Sequence, residues 1–239
     1  MVDDRALQAA ANNADLYALI FESQGLRFDR YKYAFVARDR PPPYYSNMTV
    51  LSPDHSDEVM NILARLSERF IGKVGFKDSF CQIDVAQNGF SPLFEASWIW
   101  RSAAPAQMPL GWEVVQNEAD LSNWESAWKA CGSPTPVQMF RSGLLMCSDI
   151  AFLGKRDEPG DFSCGAIANV SADCVGLSNV FAVEPSALTF AEASAAACAA
   201  YPKLPLVGYE TGDPLAHATG CGFVTVGKLR ILTAENAVF

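Results

Sequence analysis

The sequence predicts an α/β fold built twice along one chain: a mixed, mostly antiparallel sheet flanked by helices, complete in the second copy and abbreviated in the first. Three observations carry this. Residues 46–53, SNMTVLSP, and 178–185, SNVFAVEP, share the frame Ser-Asn, five residues, Pro. Val74-Gly75-Phe76 is followed after twelve residues by Gly89-Phe90, and Val207-Gly208-Tyr209 is followed after twelve by Gly222-Phe223. The first pair of segments lies 132 positions apart and the second 133, so a single insertion brings them into one register. Order and spacing together argue for duplication. The apolar period between the marks then changes from helical to strand-like at the same places in both copies.

Taken in order, the first copy opens with a helix near residues 6–22, then a strand in YKYAFVARD, a break at Pro41-Pro42-Pro43 and the Ser-Asn strand. After Pro53, Val59, Ile62, Leu63, Leu66 and Phe70 fall on one helical face. A strand over 72–76 and the Gly-Phe strand complete the copy. The second opens with the strand WEVVQ and a helix whose Leu121, Trp124 and Trp128 share a face. Three hairpin-like strands follow, SDIAFLGKRD, DFSCGAIANVS and DCVGLSNVFAV, with turns marked by Asp157-Glu158-Pro159-Gly160 and Ser171-Ala172-Asp173. After Pro185, SALTFAEASAAACAAY favours helix. A strand over 204–209, a short helix and the Gly-Phe strand close the unit. The parallel strands flanking each long helix require a crossover, which the helix supplies.

The chain has 239 residues, enough for one large domain or two small ones. The proline-punctuated RSAAPAQMPLG (101–111) reads as a linker, giving domains 1–105 and 106–239. Half of the residues are hydrophobic and the formal net charge is −9, which builds a core and argues against nucleic acid as a partner. The start MVDDRALQAAANNADLY has no basic-then-apolar leader, and no apolar run approaches the ~18 residues that would span a bilayer. A cytoplasmic protein without a membrane partner is expected; a homodimer is left open. Seven cysteines without a CxxC pair and only two histidines give no metal-ligand spacing, so no metal is expected and the thiols read as buried and free. The nucleophile-elbow, dinucleotide and P-loop patterns are all missing. The five tryptophans read as core or interdomain packing.

At this point the second copy resembles a family. GLSNVFAVEP, LPLVGYETGDPLAHATGCGF and VGKLRIL, in this order of elements, resemble the GNAT acyltransferases, in particular a bacterial branch of them. The likeness covers 112–233 and extends through the repeat to 46–101, a tandem GNAT-like protein. It implies acetyl-CoA-dependent transfer to a small-molecule amine. It also implies that the Val-x-Pro strand splays from its neighbour, with pantetheine along the backbone amides of Phe181, Ala182 and Val183.

The departures are specific. The family's pyrophosphate loop is glycine-rich and basic, because helix-end N–H groups and close backbone approach bind phosphate. Here the second copy reads Pro185-Ser186-Ala187-Leu188-Thr189-Phe190, leaving Ser186 and Ala187 to hold the phosphate without glycine or cation. The first reads Pro53-Asp54-His55-Ser56-Asp57-Glu58, whose carboxylates repel phosphate. Where the family commonly carries a Tyr acid, four residues before Gly-Phe, this chain has Ala218 and, in the first copy, Val85. Tyr209, Glu210 and His217 are the nearest substitutes, with Glu210 as base at a strand end where open α/β sheets place ligands, set against a role in capping the following helix or pairing with a neighbour. His217 reads as a satisfied or surface residue. Asn179 is a candidate substrate contact, set against a role in strand geometry. Lys77 holds the place of Glu210 in the first copy, and its removal is expected to leave turnover unchanged. The alternative to an N-acyltransferase is a catalytically inactive GNAT-derived module that binds a small molecule or a protein.

Overall fold

The computed structural model describes residues 2–70, 74–84, 89–157 and 160–234. The first half contributes α1 (Asp4–Ser23), β1 (Phe28–Arg30), β2 (Ala34–Ala37), β3 (Met48–Val50), α2 (Ser56–Arg69), β4 (Gly75–Asp78) and β5 (Phe90–Arg101). The second contributes β6 (Trp112–Val114), α3 (Glu118–Ala130), a 3₁₀ turn (Ser142–Met146), β7 (Ile150–Arg156), β8 (Phe162–Ser171), β9 (Cys174–Ala182), α4 (Ala187–Ala200), β10 (Leu206–Glu210), α5 (Gly212–Gly220) and β11 (Val224–Ala234). Val85, Glu158 and Pro159, which figured in the sequence reading, lie outside the described residues, as do 72–73 of the expected strand over 72–76. The sequence reading lacked β1 and the 3₁₀ turn, segments of three and five residues that are too short to show a period.

The expected mixed, mostly antiparallel sheet is present. Eleven strands form one sheet in the order β1-β2-β3-β4-β11-β5-β10-β9-β8-β7-β6. Among the described residues only β3–β4 and β9–β10 are parallel, each pair joined by its crossover helix, α2 or α4. The last strands are exchanged between halves. Strand β11 pairs with β4 of the first half, and β5 pairs with β10 of the second, while β5 and β11 lie side by side. The sheet therefore runs unbroken across the sequence boundary at residue 105.

Helices α1 and α3 cover one face and α2, α4 and α5 the other. Alternation along each strand shows this: Trp98 and Val207 pack with α1, whereas Ile99 and Leu206 pack with α4 and α5. Helix α1 starts at Asp3, whose carboxylate accepts the Arg5 amide, and its small residues Ala6, Ala9, Ala10 and Ala14 let it lie close to the sheet. The sequence reading assigned this helix to the first half. It instead crosses strands of both halves, reaching β8 and β9 as well as β5, because a face of small side chains allows close approach to the sheet on either side of the boundary. Trp124 on α3 is fully buried against Phe140, Phe152 and Phe181, and its indole N–H donates to the Leu153 carbonyl at 2.8 Å. Removing such a side chain costs ~3–5 kcal/mol.

Candidate active site

Two parallel strand pairs occupy equivalent places in the two halves and differ in one respect. In the second half β9 and β10 pair only at Val175–Leu206 and Gly176–Val207, with the Val175 amide on the Pro205 carbonyl at 2.9 Å. Beyond Gly176 they separate. Gly165 faces Phe181 and Ile167 faces Ser178, so Ala166 alone opposes Asn179 and Val180: a bulge that turns β9 away from β10. Asn179 sits in the left-handed region at φ +52°, which asparagine tolerates better than most residues, and its amide donates to Ser178 Oγ at 3.1 Å.

In the first half the gap is closed. Strands β3 and β4 stay paired at Met48–Phe76 and Thr49–Lys77. Asn47, at the place of Asn179, donates its backbone N–H to the Gly75 carbonyl at 2.8 Å and accepts the Gly75 N–H on Oδ1 at 3.0 Å. The same Ser-Asn pair thus locks one strand pair and kinks the other.

The opening between β9 and β10 leads into a cavity of about 280 Å³ beneath α1, lined by Asn13, Tyr17, Trp98, Asn179, Tyr209 and Glu210 among others. Glu210 is the sole charged residue among its lining side chains. Burial raises its carboxyl from 4.5 to about 7, and no hydrogen-bond partner compensates it among the described residues. It does not cap α5, whose N-cap is Thr211. A desolvated carboxylate of this kind takes up a proton near neutral pH, as a general base requires. Tyr209 meets Trp98 edge to face at 5.5 Å, and burial pushes its hydroxyl far above the ordinary tyrosine range, so it is a weak proton donor. Ala218 is fully buried between α4 and α5 and has no proton to give. Among the described residues, no group of His, Cys, Asp and Glu could hold a metal ion.

The residues expected along pantetheine divide. The Val183 amide, expected to be free, is donated to the Ser163 carbonyl at 2.9 Å. By the alternation of an antiparallel ladder the Phe181 amide also points to β8, and its ring is buried on the α3 side. Ala182 alone of the three turns its backbone toward the opening. Ser186 caps α4, accepting the Thr189 amide at 3.1 Å, and the first-turn amides of Ala187 and Leu188 remain at an exposed helix start. The nearby cation Arg101 is directed inward, to the Cys221 carbonyl at 3.3 Å and the Cys198 sulfur at 3.4 Å. The chain therefore offers an acyl-CoA one strand amide, a helix N-terminus and no basic clamp.

Several residues of this region were not singled out by the sequence reading. Asn12 and Asn169, both buried, bond to one another at 3.1 Å across α1 and β8, over the face of Gly176. The signal was the pair Asn12-Asn13 within an alanine-rich helix, where asparagine is disfavoured. Trp98 and Trp128 also line the cavity, a role beyond the core packing expected of them. Lys77, expected to stand apart from the chemistry, is fully buried with Nζ 4.4 Å from the Tyr209 ring centroid and 4.8 Å from that of Tyr17.

No protein-family model and no curated protein matches the sequence. Solved structures do match. A GCN5-related N-acetyltransferase from Kribbella flavida aligns with a TM-score of 0.63 at 12% identity, over 95% of each chain. One from Sphaerobacter thermophilus aligns at 0.54 and 10% identity, over 100% of this chain and 98% of its own. A Saccharomyces cerevisiae N-myristoyltransferase solved with myristoyl-CoA and inhibitors aligns at 0.55 and 11% identity, over 94% of this chain and 80% of its own. The fold is the one these structures share, and the likeness runs through both halves. No helix among the described residues is long and apolar enough to cross a membrane.

Proposed function

We propose that the chain is an N-acyltransferase that moves an acyl group from acyl-CoA, acetyl-CoA in the first instance, to a small-molecule amine in the second half. The single observation that carries this is the strand opening at β9–β10 with Glu210 at its inner end, present in one half and closed in the other. The tandem organisation belongs to the same proposal. The recurrent strand–helix–strand–strand order and the reciprocal exchange of β5 and β11 support descent from a duplicated unit whose first copy has become a wall. The reading is of a cytoplasmic enzyme that uses neither a membrane nor nucleic acid.

When bound, the thioester supplies an activated acyl carbon. The Ala182 backbone and the α4 N-terminus hold its carrier at the solvent-facing side, and the aromatic side chains wall the acceptor side. Glu210 takes the proton of the incoming amine as the C–N bond forms and the C–S bond breaks. The departing thiolate takes its proton from solvent, since Ala218 has none to give and Tyr209 holds its own tightly. Tyr209 and Asn179 shape the acceptor side of the opening.

A specific observation favours the second reading, a catalytically inactive binding module: α4 begins without glycine or a basic residue. Transfer assays separate the two. Release of CoA thiol from acetyl-CoA, measured with a thiol reagent across a panel of primary amines, is expected for the full chain. Glu210→Gln should lower turnover by ~10²-fold or more, the range of an acid–base group. A panel without activity would favour the inactive reading, and Glu210→Gln at the parent rate would refute Glu210 as the base.

A further inference from the structure

The cavity holds a second buried ionisable group just behind its wall. Lys77 stands on β4 where Glu210 stands on β10, each following Gly and an aromatic residue. Its side chain has no exposed surface. It runs beneath α1 into a box of rings, Tyr17, Trp98 and Tyr209, and its ammonium donates to Asn13 Oδ1 at 2.5 Å. An ammonium has donors and no lone pair, so the contact fixes which end of the Asn13 amide it meets. The Oδ1 end is taken. The Nδ2 end has no acceptor among the described residues, and Asn13 lines the cavity.

We infer that Lys77 is a positioning residue that turns the Asn13 amide so that its N–H group serves the acceptor substrate, and that this substrate is a small aromatic primary amine carrying a neutral carbonyl or hydroxyl oxygen. The aromatic side chains Tyr45, Trp128 and Phe140 line the cavity with Tyr17, Trp98 and Tyr209, and suit a flat apolar body. A carboxylate on the substrate would meet no cation in the lining itself, because the Lys77 ammonium lies behind the wall, already bonded to Asn13, and the lining carries a carboxyl, Glu210, and no basic side chain. Burying an unpaired charge is costly, so amino acids should be rejected in favour of their amides. The inference rests on the proposed acyl transfer for its biological sense, but the recognition can be measured without it.

The cavity carries its own reporters in Trp98 and Trp128. Quenching of tryptophan fluorescence would be titrated on the full chain with phenethylamine, phenylalaninamide and phenylalanine, at pH 6 so that Lys77 is protonated. The chain should bind phenylalaninamide roughly tenfold more tightly than phenethylamine, the worth of one hydrogen bond, and phenylalanine most weakly. In Lys77→Met and Asn13→Ala the amide-to-amine ratio should collapse toward one while phenethylamine affinity is kept. A merely structural lysine would change all affinities together and leave the ratio alone. If Lys77→Met does not fold, Asn13→Ala decides by itself. No amide preference in the parent, a preference that survives Asn13→Ala, or no quenching by any of the three ligands would each overturn the inference. Calorimetry with acetyl-CoA judges the acyl-transfer reading separately. CoA binding without amide preference sinks only this inference, and amide preference without CoA binding sinks only that reading.

Discussion

Replacing Glu210 by Gln keeps the shape of the side chain and removes its titration, which makes the cost of its burial measurable. The carboxyl is raised from 4.5 to about 7 by desolvation. Between those values the folded chain holds a proton that the unfolded chain has released. The stability this group contributes is therefore full below pH 4.5 and is lost as the pH rises through 7. Each tenfold change in proton affinity is worth ~1.4 kcal/mol, so the shift corresponds to about 3 kcal/mol, reduced to ~2–3 kcal/mol because the side chain is only partly shielded from water. Urea unfolding of the parent and of Glu210→Gln, compared at pH 5 and pH 8, reads this directly. The variant should match the parent at pH 5 and exceed it by ~2–3 kcal/mol at pH 8, a gain of roughly 1 M in midpoint for a chain of this size. Equal stability at both pH values would show Glu210 to be solvated or paired, and the argument for a desolvated base would fail.

Lys77 gives the opposite slope. Burial lowers it from 10.5 to about 7, so its contribution is present above pH 10.5 and lost as the pH falls through 7; Lys77→Met should remove the alkaline rise in stability that follows in a pH series of melting curves. Gly176→Ala should destabilise the fold by several kcal/mol in urea titration, because a Cβ there would lie 2.1 Å from Asn12 Oδ1 and 2.5 Å from Asn169 Oδ1. The two-residue turn between β8 and β9 holds Ala172 at φ +50° and Asp173 at φ +58°; Ala172→Gly should raise the melting temperature, with a gain of ~0.5–1 kcal/mol set by relief of left-handed strain against lost chain stiffness. Asn179→Val should cost ~1–2 kcal/mol for the same steric reason, whereas Asn179→Gly should preserve stability.

The local elements were legible in the sequence because each has a period or a punctuation mark. The helix after Pro53 shows its face in Val59, Ile62, Leu63 and Leu66, all of which are buried. The hairpin of β8 and β9 shows its turn in Ser171-Ala172-Asp173. The twelve-residue spacing marked Lys77 and Glu210 as equivalent positions. What could not be read is the pairing of distant segments. Nothing in the strand pattern of residues 90–101 says that it will lie beside β10 rather than β4, since exchanged and unexchanged partners present the same alternation. The contact of Lys77 with Asn13 joins residues 64 positions apart through that same packing. A lysine in a strand reads as solvated until the helix above it is placed. The occupied amide of Val183 escaped for a related reason, because which edge of β9 each amide faces depends on the bulge at Asn179, and the bulge has no signature beyond a Ser-Asn pair that the first half uses differently.

The central claim is that the opening in the second half accepts the thioester carrier despite its bare helix start. Isothermal titration of the full chain with acetyl-CoA at moderate salt tests it most directly. The account predicts saturable binding of one ligand per chain with modest affinity, tightened in Leu188→Arg, which sets a cation beside the exposed amides of α4, and unchanged in Glu210→Gln. No heat of binding up to millimolar ligand in the parent and in Leu188→Arg would contradict it, and would leave the fold without the chemistry proposed for it.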